Sequence, residues 1–122
     1  MKFLVILHIK DSYYSHPQEK RAELQAGVLA FSDKYLKSGK LKELYFMSDM
    51  RGSVGIWDVV STEELARAAM EYPLSPFTDF ETYPLVEYDA VAKMMKEMAA
   101  LQKTKNGGDV AKMERIMLGL DP

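Results

Sequence analysis

The stretch Leu41-Lys-Glu-Leu-Tyr-Phe-Met-Ser-Asp-Met-Arg-Gly-Ser-Val-Gly-Ile-Trp-Asp-Val-Val60 holds two strand-like runs around a polar turn. Leu41 to Met47 alternates imperfectly, yet its Tyr and Phe content favours a strand, and Val54 to Val60 is a second. Met50-Arg51-Gly52-Ser53 reads as the hairpin turn between them. A helical pattern flanks the hairpin on each side. Upstream, Leu24, Val28, Phe31 and Tyr35 recur at helical spacing, and Ser38-Gly39 supplies a left-handed stop. Downstream, Ser61-Thr-Glu-Glu64 forms a capping box ahead of the apolar stripe Leu65, Ala68, Ala69 and Tyr72, and Pro73 ends that helix.

Two further strands complete the pattern. Phe3 to Ile9 is apolar without alternation, which predicts a strand covered on both faces, and Asp79 to Tyr83 alternates. Asp11 to Ser15 reads as a polar loop, and Ser15-His-Pro-Gln18 as the start of the first helix, with Ser15 as its cap and Pro17 in its first turn. The order βαββαβ is that of the ferredoxin-like plait, an α+β fold. A chain of 122 residues accommodates one such core.

With 48% hydrophobic and 28% charged residues and a net charge of −2, the composition is globular and offers no basic field for nucleic acid. No run approaches a membrane span, and the apolar N-terminal run is too short and too interrupted for a signal segment, so a cytoplasmic location is expected. The absence of cysteine excludes disulfides and thiolate chemistry. Two histidines without a third ligand at metal spacing make a metal site unexpected. Nothing in the chain has the pattern of a nucleotide or phosphate loop, so no cofactor is expected.

Three pieces carry a family resemblance: Lys37-Ser-Gly39, Val54-Gly-Ile-Trp-Asp-Val59, and Pro73-Leu-Ser-Pro-Phe77 followed by Asp79-Phe-Glu81 and Pro84-Leu85. From about Leu36 to Leu85 the chain resembles the muconolactone isomerase family, whose members are dimeric α/β barrels built from this plait. The resemblance implies a small-molecule enzyme. Its chemistry would be proton transfer, of isomerase, cyclase or dehalogenase type, on an unsaturated acid, lactone or aromatic-like compound. It also implies self-association as a homodimer or higher oligomer. One departure stands out. The family's proton-shuttling carboxylate is a Glu on the first helix, and a gapless match anchored on Ser38-Gly39 puts Val28 there. Glu23 projects about 140° away around the helix and cannot replace it. Met50 and Arg51 stand where the family carries a histidine and a tyrosine.

The candidate catalytic residues are His8 and Arg51. An imidazole at the end of the first strand could exchange protons near neutral pH, or could be a histidine satisfied by a backbone carbonyl. A guanidinium beside Gly52 could clamp a carboxylate or enolate oxygen, or could be an ordinary turn arginine. Val28, Phe31, Tyr35, Tyr45 and Trp57 are expected to line a pocket for a flat, unsaturated ligand, although aromatics at these spacings also serve as core. Asp79 and Glu81 share a strand face and as paired carboxylates could form a general acid, whereas the family resemblance implies a structural place at a subunit contact. The alternative to an enzyme is a non-catalytic ligand-binding or oligomeric assembly module that has lost its carboxylate. An open cavity with converging titratable groups distinguishes the first from the second.

The chain divides in this reading at residue 88. Residues 1–88 form the barrel domain and 89–122 a helical arm capped by Asp89. Val91, Met94, Met95, Met98 and Leu101 make its apolar stripe, Lys103 to Gly108 a linker, and Val110, Met113 and Met117 a shorter continuation behind Asp109. Five of the nine methionines fall here, as suits a helix docking on its own subunit, a second subunit or another protein, and the family resemblance implies a second subunit.

Overall fold

The computed structural model describes residues 1–105 and 117–119. Its elements are β1 (Lys2–Ile9), α1 (Asp11–Tyr14), α2 (Gln18–Ser38), β2 (Leu41–Phe46), β3 (Gly52–Asp58), α3 (Thr62–Glu71), a 3-10 turn at Ser75–Phe77, β4 (Thr78–Leu85) and α4 (Tyr88–Lys105). The strands form one antiparallel sheet in the order β2-β3-β1-β4, so the α+β plait read from the sequence is the fold observed. The chain separates into two compact units, the first ending at Leu85 and the second beginning at Val86.

Burial along β1 alternates even though its hydropathy does not. Phe3 and Val5 are buried against α2 and α3, together with Tyr35, Leu41, Trp57 and Ala68, and Leu7 packs on the same cluster. Leu4 and Ile6, paired with Ile56 and Val54 of β3, take the opposite sheet face and are only half-buried, while His8 is exposed. Within the single chain the cover on the two faces of β1 is therefore uneven. Period-2 geometry sends every second side chain away from the helices, whatever its hydropathy. β4 extends further than its alternation indicated, through Pro84, which an edge strand tolerates because its missing N–H need not join a ladder.

The helix ends follow their sequence signals closely. Gly39 closes α2 at φ 78°, in the left-handed region. Ser61 caps α3 by accepting from the Glu64 N–H at 3.2 Å, and the Glu64 carboxylate reaches back to accept from the Val60 N–H at 2.9 Å. Lys40 also pairs with Glu64, and these contacts hold that carboxyl below the usual range, the Lys40 hydrogen bond contributing most.

The start of α2 differs from its sequence reading. Asp11–Tyr14 is a helical turn rather than a loop, and Ser15 ends it, its hydroxyl donating to the Ser12 carbonyl at 2.7 Å. Pro17, with extended backbone, occupies the cap position of α2. Turn α1 is fixed by Tyr13, whose ring is buried against α2 and the 3-10 turn.

In the second unit, α4 runs through Lys105, so Lys103 to Lys105 belong to a helix and not to a linker. Asp89 lies in its first turn rather than capping it. Val91, Met95 and Met98 are half-buried and Gln102 is buried, whereas Met94 and Leu101, on the flank of that stripe, are exposed. Met117 is exposed. Asn106 to Gly108, Asp109, Val110 and Met113 lie outside the described residues. Among the described residues no helix is long and apolar enough to cross a membrane.

Candidate functional site

A cavity of about 490 Å³ opens where the end of β1, the middle of α2 and the β2–β3 hairpin meet. Leu7 and Ile9 contribute from β1 because odd-numbered positions face the helices. Gln25, Val28 and Leu29 come from successive turns of α2, and Tyr13 and Tyr14 from α1. The hairpin supplies Asp49 and Arg51.

Backbone bonds from the Met47 N–H to Gly52 O (2.9 Å) and from the Met50 N–H to Met47 O (2.8 Å) fold the hairpin turn tightly. Met50 sits at φ 61°, a left-handed conformation disfavoured for a side-chain-bearing residue by about 1 kcal/mol. That conformation sets Asp49 and Arg51 side by side, with Asp49 Oδ1 accepting from the Arg51 N–H at 3.0 Å. The Arg51 carbonyl accepts from the Ile9 N–H at 2.9 Å, which ties the turn to β1. The Arg51 guanidinium lies 5.0 Å from the Tyr14 ring centre and 3.5 Å from the Asp11 carboxylate. On the opposite wall, Gln25 donates to the Tyr13 hydroxyl at 3.0 Å, and that hydroxyl donates to the Arg21 carbonyl at 3.4 Å. The cavity is thus mainly apolar, with one cation, one carboxylate and a fixed phenol–amide pair at its margin.

The residues expected at the site fall in several places. Arg51 and Val28 line this cavity. Phe31 and Trp57 line a neighbouring one of about 230 Å³ between the sheet and α3. Tyr35 packs against them, 4.7 Å from Phe31 and 5.1 Å from Trp57 between ring centres, but its hydroxyl points outward to Glu71 of α3. His8 shares the end of the sheet with Arg51 but projects from the opposite face, where Glu81 lies 3.7 Å away. Asp79, on the same face, pairs with Lys10 at 3.5 Å.

Tyr45 also lies on that far face, exposed, with its hydroxyl donating to Glu43 at 3.0 Å. The cause is a bulge. The register between β2 and β3 shifts between Leu41 and Glu43, so Leu41 and Leu44 face the helices and Tyr45 faces away. Gly55 lies opposite Leu44, and its missing side chain leaves room for the Trp57 indole, since a Cβ there would sit 3.2 Å from Trp57 Nε1. Asp49, Tyr13 and Gln25 were not expected at the site. Among the described residues, no group of three or more His, Asp or Glu is arranged to hold a metal ion.

Two tyrosines of this layer are perturbed. The Tyr72 phenol is pushed up to about 12 by burial, with Tyr13 adding to the effect, and Tyr35 to about 12 by burial and then by its hydrogen bond to Glu71. In the unfolded chain both ionise near 10. Their contribution to stability is therefore complete below pH 10 and lost as pH rises towards 12. Denaturant titrations across that window should show stability falling, and falling less in the Tyr35→Phe, Tyr72→Phe double variant. Identical pH profiles for the two chains would contradict it.

Comparison with known proteins places this geometry in context. The family model described as Muconolactone delta-isomerase matches residues 1–91, a longer span than the central segment on which the sequence resemblance rests. A Muconolactone Delta-isomerase of Rhodococcus opacus is 30% identical over 73 residues, which is 60% of this chain and 78% of that protein. A crystal structure of muconolactone isomerase superposes with a TM-score of 0.65 at 25% identity, covering 72% of this chain and 91% of the other. A 5-chloro-2-hydroxyhydroquinone dehydrochlorinase of Burkholderia phenoliruptrix, solved with 2,5-dihydroxybenzoquinone, superposes with a TM-score of 0.59 at 18% identity, over 74% and 98% of the respective chains. That last likeness is one of fold.

Proposed function

This chain belongs to the muconolactone Delta-isomerase family, and on that premise we propose that it is a small-molecule enzyme transferring a proton on an unsaturated acid, lactone or aromatic-like compound. The observation that carries the reading is the open cavity of about 490 Å³ lined by both Arg51 and Asp49. A filled interior would have favoured the assembly module instead.

In this reading Arg51 binds the substrate carboxylate, and Tyr14 and Asp11 hold the guanidinium in place. Asp49 is the carboxylate lining the cavity. It removes a proton from the carbon next to the substrate carbonyl, the electron pair moves onto the enolate oxygen beside Arg51, and the proton returns at the conjugated carbon. Substrate and product are isomers, so no co-reactant is needed. Asp49 takes the role that the sequence suggested for His8, because His8 projects from the far sheet face. Val28 in the cavity wall fits the loss of an acid from α2, with Gln25 one turn earlier supplying a neutral polar contact.

The test is a titration with benzoate and unsaturated lactone acids. Arg51→Met should weaken binding about 10- to 100-fold, the range for a lost charge-assisted hydrogen bond. Unchanged affinity would remove Arg51 from the site.

The reading extends to assembly. The far sheet face, bearing Leu4, Ile6, Val54, Ile56 and Tyr83, and the methionine-bearing arm are proposed as homo-oligomer contacts. A chain ending at Tyr88 is expected to lose assembly mass in light scattering, and an unchanged mass would rule out the arm's part.

A further inference from the structure

The candidate cavity shares one wall with a second cavity that also opens to solvent. Leu7 and Tyr72 line both it and the cavity of about 230 Å³ between the sheet and α3, and the same two residues line a small void of about 30 Å³. The chemistry of the inner cavity is different. No charged residue lines it, Thr62, Thr82, Tyr72 and Trp57 are its residues with polar groups, and its walls also include Phe3, Phe31 and Phe80. Those walls are braced: Tyr72 meets Phe31 edge-on at 5.2 Å and Phe80 at 6.1 Å, and Phe31 lies 6.2 Å from Trp57. Packed domains usually close such space with side chains. Here, among the described residues, no side chain is less than 2% exposed, and the helix–sheet layer is under-filled. An apolar cavity of about 150 Å³ is enough to take a benzene ring, so the inner cavity exceeds one ring in size.

We infer that the inner cavity is a second subsite of the same pocket, and that the preferred substrates are unsaturated or aromatic acids bearing an apolar substituent of about one ring in size. The carboxylate sits at Arg51 and the substituent passes Leu7 and Tyr72 into the aromatic chamber. This rests on the reading of Arg51 as the anion anchor.

Trp57 is the only tryptophan in the chain and lines the inner cavity but not the outer one, so its fluorescence reports inner occupancy. The full chain would be titrated with benzoate, 4-phenylbenzoate and toluene, with calorimetry alongside the Trp57 signal. The expected result is that 4-phenylbenzoate binds at least ~10-fold more tightly than benzoate, a difference of about 1.4 kcal/mol. Both 4-phenylbenzoate and toluene should shift Trp57 emission. Ala69→Phe, which fills the inner chamber from α3, should abolish the toluene response and the preference for 4-phenylbenzoate while leaving benzoate affinity intact. Ala66→Phe, on the exposed side of the same lining, serves the same purpose if the first variant does not fold.

Equal affinities for the two acids with unchanged Trp57 emission would overturn the inner subsite and leave the Arg51 anchor standing. A preference that survives both filling variants would overturn it as well. Benzoate affinity that is unaffected by Arg51→Met would overturn the anchor and with it the two-part substrate; the toluene response, which does not involve Arg51, would still identify the chamber as a separate apolar site.

Discussion

Gly52→Ala is expected to destabilise the chain by about 3 kcal/mol and to lower its thermal midpoint by roughly 10 to 15 °C. A Cβ at this position would lie 2.2 Å from the carbonyl oxygen of Leu7. That oxygen is part of β1 and cannot swing aside as a side chain would. The His8–Gly52 end of the ladder would have to open, together with the turn that seats Asp49 and Arg51. Gly39→Ala makes a useful contrast, because a Cβ there would meet nothing closer than 3.8 Å and the cost arises only from its φ of 78°. Chemical denaturation of both variants decides the matter: a loss below about 1 kcal/mol for Gly52→Ala, within the range of an ordinary substitution, would mean that the hairpin is not clamped on β1.

Asp49→Asn is expected to lower turnover by about 10²- to 10⁴-fold, the range of a lost general base, with ligand affinity little changed. The fold should survive, since the amide oxygen can still accept from the Arg51 N–H that Asp49 Oδ1 now serves. The side chain loses its basicity and keeps its place. Initial rates on an identified lactone or unsaturated acid, compared with direct binding, separate the two effects. Near-normal turnover would shift the proton transfer to another group, with Tyr13 the first to examine because its hydroxyl lines the same cavity and is already held by Gln25.

The plait could be read in the chain because local signals mark its elements: Gly39 and Pro73 stop the helices, Ser61 and Glu64 start one, and the hairpin between them leaves little choice of topology. Where the reading failed, tertiary structure overrode a local signal. Ser15 has the chemistry of a helix cap, but Tyr13 buried under α2 closes a separate turn first, and Ser15 ends that turn instead. Tyr45 has the right spacing for a pocket wall, but the bulge after Leu41 reverses its side. His8 and Arg51 lie at the same end of the sheet, but strand alternation puts the two on opposite faces. Asp49, Tyr13 and Gln25 gave no signal at all. They lie on three separate segments, and nothing in their spacing announces that the hairpin folds over α1 and α2.

The unfilled layer between helices and sheet has a consequence for the heat capacity of binding. The cavities of about 490 and 230 Å³ both open to solvent and present mainly apolar walls to water when unliganded. A ligand that fills both takes that apolar surface out of water. Binding should therefore carry a negative heat-capacity change, larger for a ligand that reaches both cavities than for one confined to the first.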